Sequence, residues 1–100
     1  MATPYHPPIK RSVEIAGHKT SVSLEPLFWD MLRDAAGGEG VPLNALVARI
    51  DAERLEADVS PGLAGAIRLW LAAALLQSGV RIIPPDEAEE LADDGYPAQQ

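Results

Sequence analysis

The chain has 100 residues, of which 47% are hydrophobic and only 5% aromatic, so it is long enough for one small domain with an aliphatic core. It contains no cysteine and two histidines, which excludes a disulfide scaffold, a thiolate zinc site and a cysteine nucleophile. We therefore expect no metal and no cofactor. The lack of cysteine, together with an N-terminus without a long apolar run, favours a cytoplasmic protein with no membrane segment.

The net charge of −7 is distributed unevenly along the chain. Residues 1–85 contain eight basic and nine acidic residues, so they are almost neutral. Within residues 1–24, three cations face a single acid, Glu14. This distribution leaves a polyanionic partner open, although the isoelectric point of about 4.6 alone argues against one. The remaining six acids lie close together near the C-terminus: Asp86, Glu87, Glu89, Glu90, Asp93 and Asp94.

Three prolines in residues 1–9 predict a flexible, extended arm. Residues 10–15 and 18–24 then alternate between polar and apolar or β-branched side chains, which is typical of strands. A two-residue turn at Ala16-Gly17 joins them into a hairpin. The resulting register pairs Val13 with Thr20, Ser12 with Ser21, and Glu14 with Lys19.

Two amphipathic helices follow the hairpin. The first is predicted to start near Glu25-Pro26 and to end at Gly37-Gly38, and the second to start with Pro42 as its first helical residue. We expect the two apolar stripes to consist of Leu24, Leu27, Phe28, Met31, Leu32 and Ala35, and of Leu43, Leu46, Val47, Ile50 and Leu55.

A third helix is predicted over residues 61–76, with Ser60 as its cap and Pro61 as its first residue. This stretch contains twelve hydrophobic residues and one charge, Arg68. A helix that is apolar on nearly all sides needs cover on more than one side, and a second subunit can provide it. Arg68 pairs with an acid such as Glu56 or Asp58, or lies at a subunit edge.

Residues 84–100 begin with two prolines and contain the acidic cluster, which predicts a solvated, disordered tail. The domain organisation expected from the sequence is thus an arm over residues 1–9, one folded domain over 10–83 and the tail over 84–100.

The order of strand, helix, glycine turn and helix resembles the ribbon-helix-helix fold of MetJ/Arc-type DNA-binding repressors. The stretch KRSVEIAGHKTSVSLE, followed by Phe28-Trp29, is more similar to an extended bacterial family of this fold with an added C-terminal helix. The resemblance covers roughly residues 10–75. It implies a mainly α protein with a short β ribbon and a third apolar helix. It also implies an obligate homodimer in which each chain lends one strand to the ribbon.

The resemblance also implies which residues touch DNA. The ribbon enters the major groove, where the side chains of its outer face, Lys19, Ser21 and Ser23, read base edges. A second set contacts phosphates, through side chains or through the backbone of the second helix's N-terminus. This phosphate set consists of Lys10, Arg11, His18, Leu43 and Asn44.

Two features depart from the family pattern. Pro42 stands where a small hydroxyl residue is usual, and proline supplies no N–H for a phosphate. In addition, if residues 11–15 pair with the ribbon strand, a dimer has four strands, which is too wide for simple groove entry. Either this first strand moves aside or the groove-reading assignment does not apply.

The sequence thus predicts a sequence-specific DNA-binding transcription regulator, a repressor or autoregulator, that inserts an intersubunit ribbon into double-stranded DNA. The alternative is a dimeric interaction module or antitoxin-like adaptor whose tail, residues 84–100, binds a partner protein. The helix at 61–76 could close each dimer or join dimers into tetramers. No catalytic residues are expected, because no acid is spaced with a histidine for acid–base work and residues 37–40 lack the lysine of a phosphate loop.

Overall fold

The computed structural model describes residues 5–79, which form a β-hairpin followed by three helices. The predicted acidic tail therefore lies outside the described residues. The hairpin covers one side of the helical layer, where β1 contacts α2 and β2 contacts α1 and α3. The elements in chain order are β1 (Ile9–Ile15), β2 (His18–Leu24), α1 (Pro26–Glu39), α2 (Leu43–Leu55) and α3 (Leu63–Gln77).

The hairpin has the register that the sequence predicts. Val13 pairs with Thr20, and the same alignment continues to Ile9 opposite Leu24. Ala16 and Gly17 both have positive φ, at 52° and 82°, which is the geometry of a type I′ turn. Residues 11–15 thus form a true second strand, paired along its whole length with the strand that precedes α1.

The pleat of the hairpin separates an apolar face from a polar one. Val13, Ile15, Val22 and Leu24 point to the helices and are at most 9% exposed. The residues between them are exposed. Because alternate side chains face opposite ways, this burial fixes which residues remain available to a ligand.

The first helix extends further than predicted. It continues through Gly37 and Gly38 to Glu39, and the chain leaves it at Gly40, whose φ of 71° lies in the left-handed region. The N–H of Gly40 donates to the Gly37 carbonyl, and that of Val41 donates to the Ala36 carbonyl. The prediction that Gly37-Gly38 ends the helix was wrong, because helix interiors tolerate glycine and only Gly40 adopts the terminating conformation.

The apolar stripes differ from the prediction at a few positions. In α1, the most deeply buried residues are Trp29, Leu32 and Ala36, whereas Leu27 is 39% exposed. In α2, Leu55 is 61% exposed because it lies in the last turn, beyond the contact with α3 and the hairpin.

The predicted starts of the second and third helices were early, whereas the first helix begins at Pro26 as predicted. Pro42 caps α2 from outside and Leu43 is its first residue, while Gly62, not Ser60, occupies the cap position of α3. Neither helix has a side-chain cap. The assignment of proline to the first helical position was therefore wrong for Pro42 by one residue and for Pro61 by two.

A single chain encloses the core. The largest fully buried side chains come from the hairpin and all three helices: Trp29, Leu24, Leu32, Leu46, Ile50, Ile67 and Val47. On its other side, α3 leaves Leu69 and Leu76 65% and 64% exposed. None of the helices within residues 5–79 is long and apolar enough to cross a membrane.

Arg68 fastens α3 to the start of α1. Its guanidinium donates to one carboxylate oxygen of Glu25 at 2.8 and 3.1 Å and lies 5.6 Å from the centre of the Phe28 ring. The predicted partners Glu56 and Asp58 were wrong, because Glu25 is 43 residues away in sequence and only the tertiary fold brings it to α3.

Candidate nucleic-acid interface

The outer face of the hairpin is a small, polar and fully accessible surface. Its six side chains are exposed, and none makes a hydrogen bond or ion pair within the described part of the chain. They stand in three cross-strand pairs, Lys10 with Ser23, Ser12 with Ser21, and Glu14 with Lys19. The face therefore offers two ammonium groups, three hydroxyls and one carboxylate to a ligand.

The three side chains predicted to read bases share this face. Lys19, Ser21 and Ser23 alternate along β2 and point away from the core. Outward neighbours on a strand are separated by two residues, or about 6.6 Å. A hydroxyl both donates and accepts hydrogen bonds, and an ammonium donates to the guanine acceptors of the major groove. This spacing and chemistry suit contacts to neighbouring base pairs.

The structure adds two residues that the sequence reasoning left out of the site. Ser12 and Glu14 lie on the same outward face, opposite Ser21 and Lys19. The signal for them was present in the predicted hairpin register, since side chains of directly opposed residues point to the same side of a sheet. Lys10, predicted to contact phosphate, is on this face as well, opposite Ser23.

Arg11 is separated from these groups. It points to the helix side of β1, where its guanidinium lies 5.6 Å from the Trp29 ring centre. Trp29 in turn donates its indole N–H to the Ile9 carbonyl at 2.9 Å, so both contacts hold β1 against α1. Lys10 and Arg11 thus face opposite ways, as expected of adjacent strand residues.

His18 is the first residue of β2 and lies exposed beside the turn, paired with Ile15. His18 precedes Lys19 in β2, and adjacent strand residues point to opposite faces of the sheet, so the two side chains do not share a face. The predicted phosphate contact of His18 therefore belongs to the hairpin tip rather than to the polar outer face.

The start of α2 is a second exposed polar element. The N–H groups of Ala45 and Leu46 donate to the Pro42 carbonyl at 3.1 and 3.2 Å, so the helix begins to satisfy its own backbone only from Ala45. The N–H groups of Leu43 and Asn44 precede that first bond. The Asn44 side chain is exposed and makes no hydrogen bond within the described chain.

Among residues 5–79, no strand pairs with the second edge of β2. The two-stranded sheet has the order β1–β2, so β1 covers only one edge of β2. In a two-residue hairpin His18 forms the closing hydrogen-bonded pair with Ile15, and hydrogen-bonded pairs alternate from there. The backbone groups of Lys19, Ser21 and Ser23 consequently point to the open edge. Such an edge is a template for another strand.

The cations of the hairpin and of the helices are in different electrostatic situations. Within residues 5–79, each helical arginine has a carboxylate partner, whereas no cation of the hairpin has one within 4.0 Å. The helical pairs are Arg33–Asp30, Arg49–Glu39, Arg54–Asp51 and Arg68–Glu25. The cations without a carboxylate are Lys10, Arg11 and Lys19.

Two of the helical pairs shift the pKa of their carboxyl groups. The hydrogen bonds from Arg68 hold the pKa of Glu25 below its ordinary value, and the two bonds from Arg49, both 2.8 Å long, lower the pKa of Glu39. The same contact raises the pKa of Arg49, whose guanidinium also lies 5.8 Å from the Trp70 ring centre. These ion pairs connect the helices to one another.

Within the described residues, no group of three or more histidine, aspartate or glutamate side chains could hold a metal ion. The chemistry of the accessible hairpin face is hydrogen bonding and charge attraction.

Comparison with known proteins gives a family. No similar protein was found among curated proteins, and none among solved structures. The model of the family described as "Ribbon-helix-helix domain" matches residues 8–75, which include the hairpin, α1, α2 and most of α3. Proteins of this family are typically transcription regulators that bind DNA and form dimers. Because the match covers more than half of the chain, the protein belongs to the ribbon-helix-helix domain family.

Proposed function

We propose that this chain is a dimeric, sequence-specific DNA-binding repressor, acting in the cytoplasm, that presents the outer face of its hairpin to the major groove. The observation that carries the proposal is the set of uncommitted polar groups there. Within residues 5–79, Lys10 and Lys19 have no carboxylate partner, although every helical arginine has one. Cations without internal partners are suited to phosphates and guanine edges.

The open edge of β2 supports a particular mode of dimerisation. Pairing of the two β2 strands across a two-fold axis gives a sheet of four strands, with the β2 strands in the centre and the β1 strands outside. This arrangement places Lys19, Ser21 and Ser23 of both copies on the central ribbon. In this arrangement the intersubunit ribbon consists of the two β2 strands, and each β1 strand stays paired at its outer edge.

The width of this sheet assigns different roles to the two strands. Three interstrand spacings of about 4.8 Å separate the outer strands by about 14 Å, whereas the major groove is about 12 Å wide. The central β2 strands enter the groove and the β1 strands lie over its edges. Lys10 is then close to phosphates, which is favourable, and Glu14 is close to them as well, which lowers affinity.

Contacts from the helices complete the proposed interface. The free N–H groups of Leu43 and Asn44, with the Asn44 amide beside them, can bind a phosphate at the start of α2. Pro42 supplies one donor fewer than a residue with an N–H would. Arg11 and His18 contribute to attraction from the edge and the tip of the hairpin.

The test is a titration of the purified protein on a DNA fragment from upstream of its own coding sequence, against a scrambled fragment of equal length. We expect saturable binding at least about tenfold tighter to the first fragment, as specific sites exceed non-specific ones. The logarithm of the affinity should fall linearly with that of the salt concentration, with a slope of about 0.9 per neutralised phosphate. Equal affinity for both fragments contradicts the proposal and favours the adaptor alternative.

A further inference from the structure

The sequence beyond α3 differs sharply in charge from the hairpin. Residues 86–94 contain six carboxylates in nine positions, and no lysine or arginine occurs from residue 82 to residue 100. Residues 9–24 contain three basic residues and one acidic residue. The three basic residues of the hairpin outnumber its one acid, whereas the single charge of α3, Arg68, is paired with Glu25.

The helical part of the molecule repels such a segment. Residues 25–79 contain four basic and eight acidic residues, and the four arginines are already paired with carboxylates. Asp34, Glu53, Glu56 and Asp58 have no basic partner within 4.0 Å in the described chain. An acidic segment near this molecule is therefore driven from the helices to the hairpin.

The hairpin is within reach of the same chain. The described residues end at Gly79, and six residues, 80–85, separate it from the first acid of the cluster, Asp86. Residues 80–94 can span about 50 Å when extended, whereas a strand of seven residues is about 23 Å long. Since α3 is about 22 Å long and contacts β2, its end lies within about 30 Å of the hairpin, which is less than that span. Attachment to the same chain gives the acidic segment an effective concentration of about 1 mM at the hairpin.

We propose that residues 86–94 bind the outer face of the hairpin of the same chain through Lys10 and Lys19, and that DNA must displace them. The inference rests on the proposed function for its consequence, but the contact itself forms without DNA. Bound carboxylates take the place of phosphates at the two ammonium groups. The segment then acts as a competitive inhibitor that is weakened by salt.

The contact can be measured in the full chain. Because the protein has no cysteine, Ala92→Cys introduces one attachment point for a nitroxide spin label between the acids. We expect the label to broaden the amide signals of residues 10–24 more than those of α1 and α2, at low salt and without DNA. A matched variant replaces the six acids with Asn or Gln and keeps the label at residue 92. There, and in Lys10→Gln/Lys19→Gln, the broadening of the hairpin should disappear.

The same variants separate this inference from its alternatives. Uniform broadening, or the same pattern in the neutralised variant, overturns the contact. Equal broadening of the hairpin in a mixture of spin-labelled protein without isotope and isotope-labelled, unmodified protein assigns the segment to a second copy and overturns the intramolecular proposal. A partner protein that binds residues 86–94 without changing the hairpin signals would also contradict it.

A DNA titration of the neutralised variant without the label measures the consequence. We expect its affinity for the upstream fragment to rise about three- to tenfold at low salt. A rise without any label effect in the hairpin indicates long-range repulsion only and overturns docking. A label effect in a protein that binds no DNA refutes the proposed function and leaves the contact established.

Discussion

The hairpin and the helical layer use their charged residues in opposite ways. In the helical layer, Arg49 binds Glu39 through two hydrogen bonds and lies over Trp70, so that one side chain connects all three helices. In the hairpin, Lys10 and Lys19 contact no carboxylate of the described part of the chain. The helical arginines are thus neutralised by carboxylates of the same fold, whereas the two hairpin lysines are available to a ligand. Changes in the helical layer should therefore affect stability, and changes on the outer hairpin face should affect binding.

The largest effect is expected from substituting Trp29, the residue that joins the hairpin to the helical layer. Trp29 is 2% exposed, donates to the Ile9 carbonyl and lies under Arg11. Trp29→Ala should lower the free energy of unfolding by about 3–5 kcal/mol, through lost burial and a cavity. Trp29→Phe should cost less, about 1–3 kcal/mol, because it mainly leaves the Ile9 carbonyl without its donor. Urea unfolding followed by circular dichroism measures both; equal effects of the two variants would contradict the role of the hydrogen bond.

The turn offers a gain in stability without a change in the outer face. Ala16 has a φ of 52°, a conformation that costs an ordinary L-residue energy and that asparagine tolerates better. Ala16→Asn should raise the free energy of unfolding by about 0.5–1 kcal/mol. Gly17→Ala is the matched control: it should destabilise, because φ at Gly17 is 82° although the space around it is open. An Ala16→Asn variant that unfolds at lower urea would contradict the type I′ turn.

Glu14 tests the electrostatics of the outer face. It is exposed, makes no ion pair within the described chain and is expected to lie near phosphates. Glu14→Gln should increase DNA affinity about two- to fivefold while leaving unfolding unchanged. Asp34→Gln on α1 removes the same charge away from the hairpin and should change affinity less. Fluorescence anisotropy of labelled DNA gives both values, and equal gains would mean that only net charge matters.

The smallest expected effect is a pH dependence that belongs to the helical layer. Because the pKa values of Glu25 and Glu39 are lowered in the folded state, folding is favoured when these groups are ionised. Their contribution is complete above the ordinary glutamate pKa of about 4.3 and is lost as the pH falls through the lower folded values. The urea midpoint should therefore fall more steeply below that pH in the natural protein than in Glu25→Gln/Glu39→Gln. Parallel curves would contradict the two pairings.

Local patterns were sufficient to predict the hairpin. Its register follows from period-two alternation and a two-residue turn, both contained in adjacent sequence. The same alternation also holds the information that Arg11 shares the helix-facing side with Val13 and Ile15, which the assignment of Arg11 to the phosphate contacts did not use. The outer face could thus have been derived in full from the sequence.

Helix ends and long-range ion pairs were harder to predict from the sequence. Gly37 and Gly38 are compatible with both a helix interior and a helix end, and only the backbone angle at Gly40 decides between them. The Arg68–Glu25 pair joins residues 43 positions apart, and no spacing in the sequence distinguishes Glu25 from the nearer acids. Such choices depend on how the helices pack, which is a property of the whole fold.

The central claim is that the outer hairpin face binds DNA and contributes little to the fold. It is tested most directly by measuring DNA affinity and urea unfolding for Lys19→Ala/Ser23→Ala beside Arg33→Ala, which removes one exposed cation from α1. We expect the double variant to lose about ten- to hundredfold in affinity for the upstream fragment, or about 1–3 kcal/mol, with its free energy of unfolding unchanged to about 0.5 kcal/mol. Arg33→Ala should change affinity by no more than about twofold. Unchanged binding of the double variant, or an equal loss in Arg33→Ala, would contradict the account.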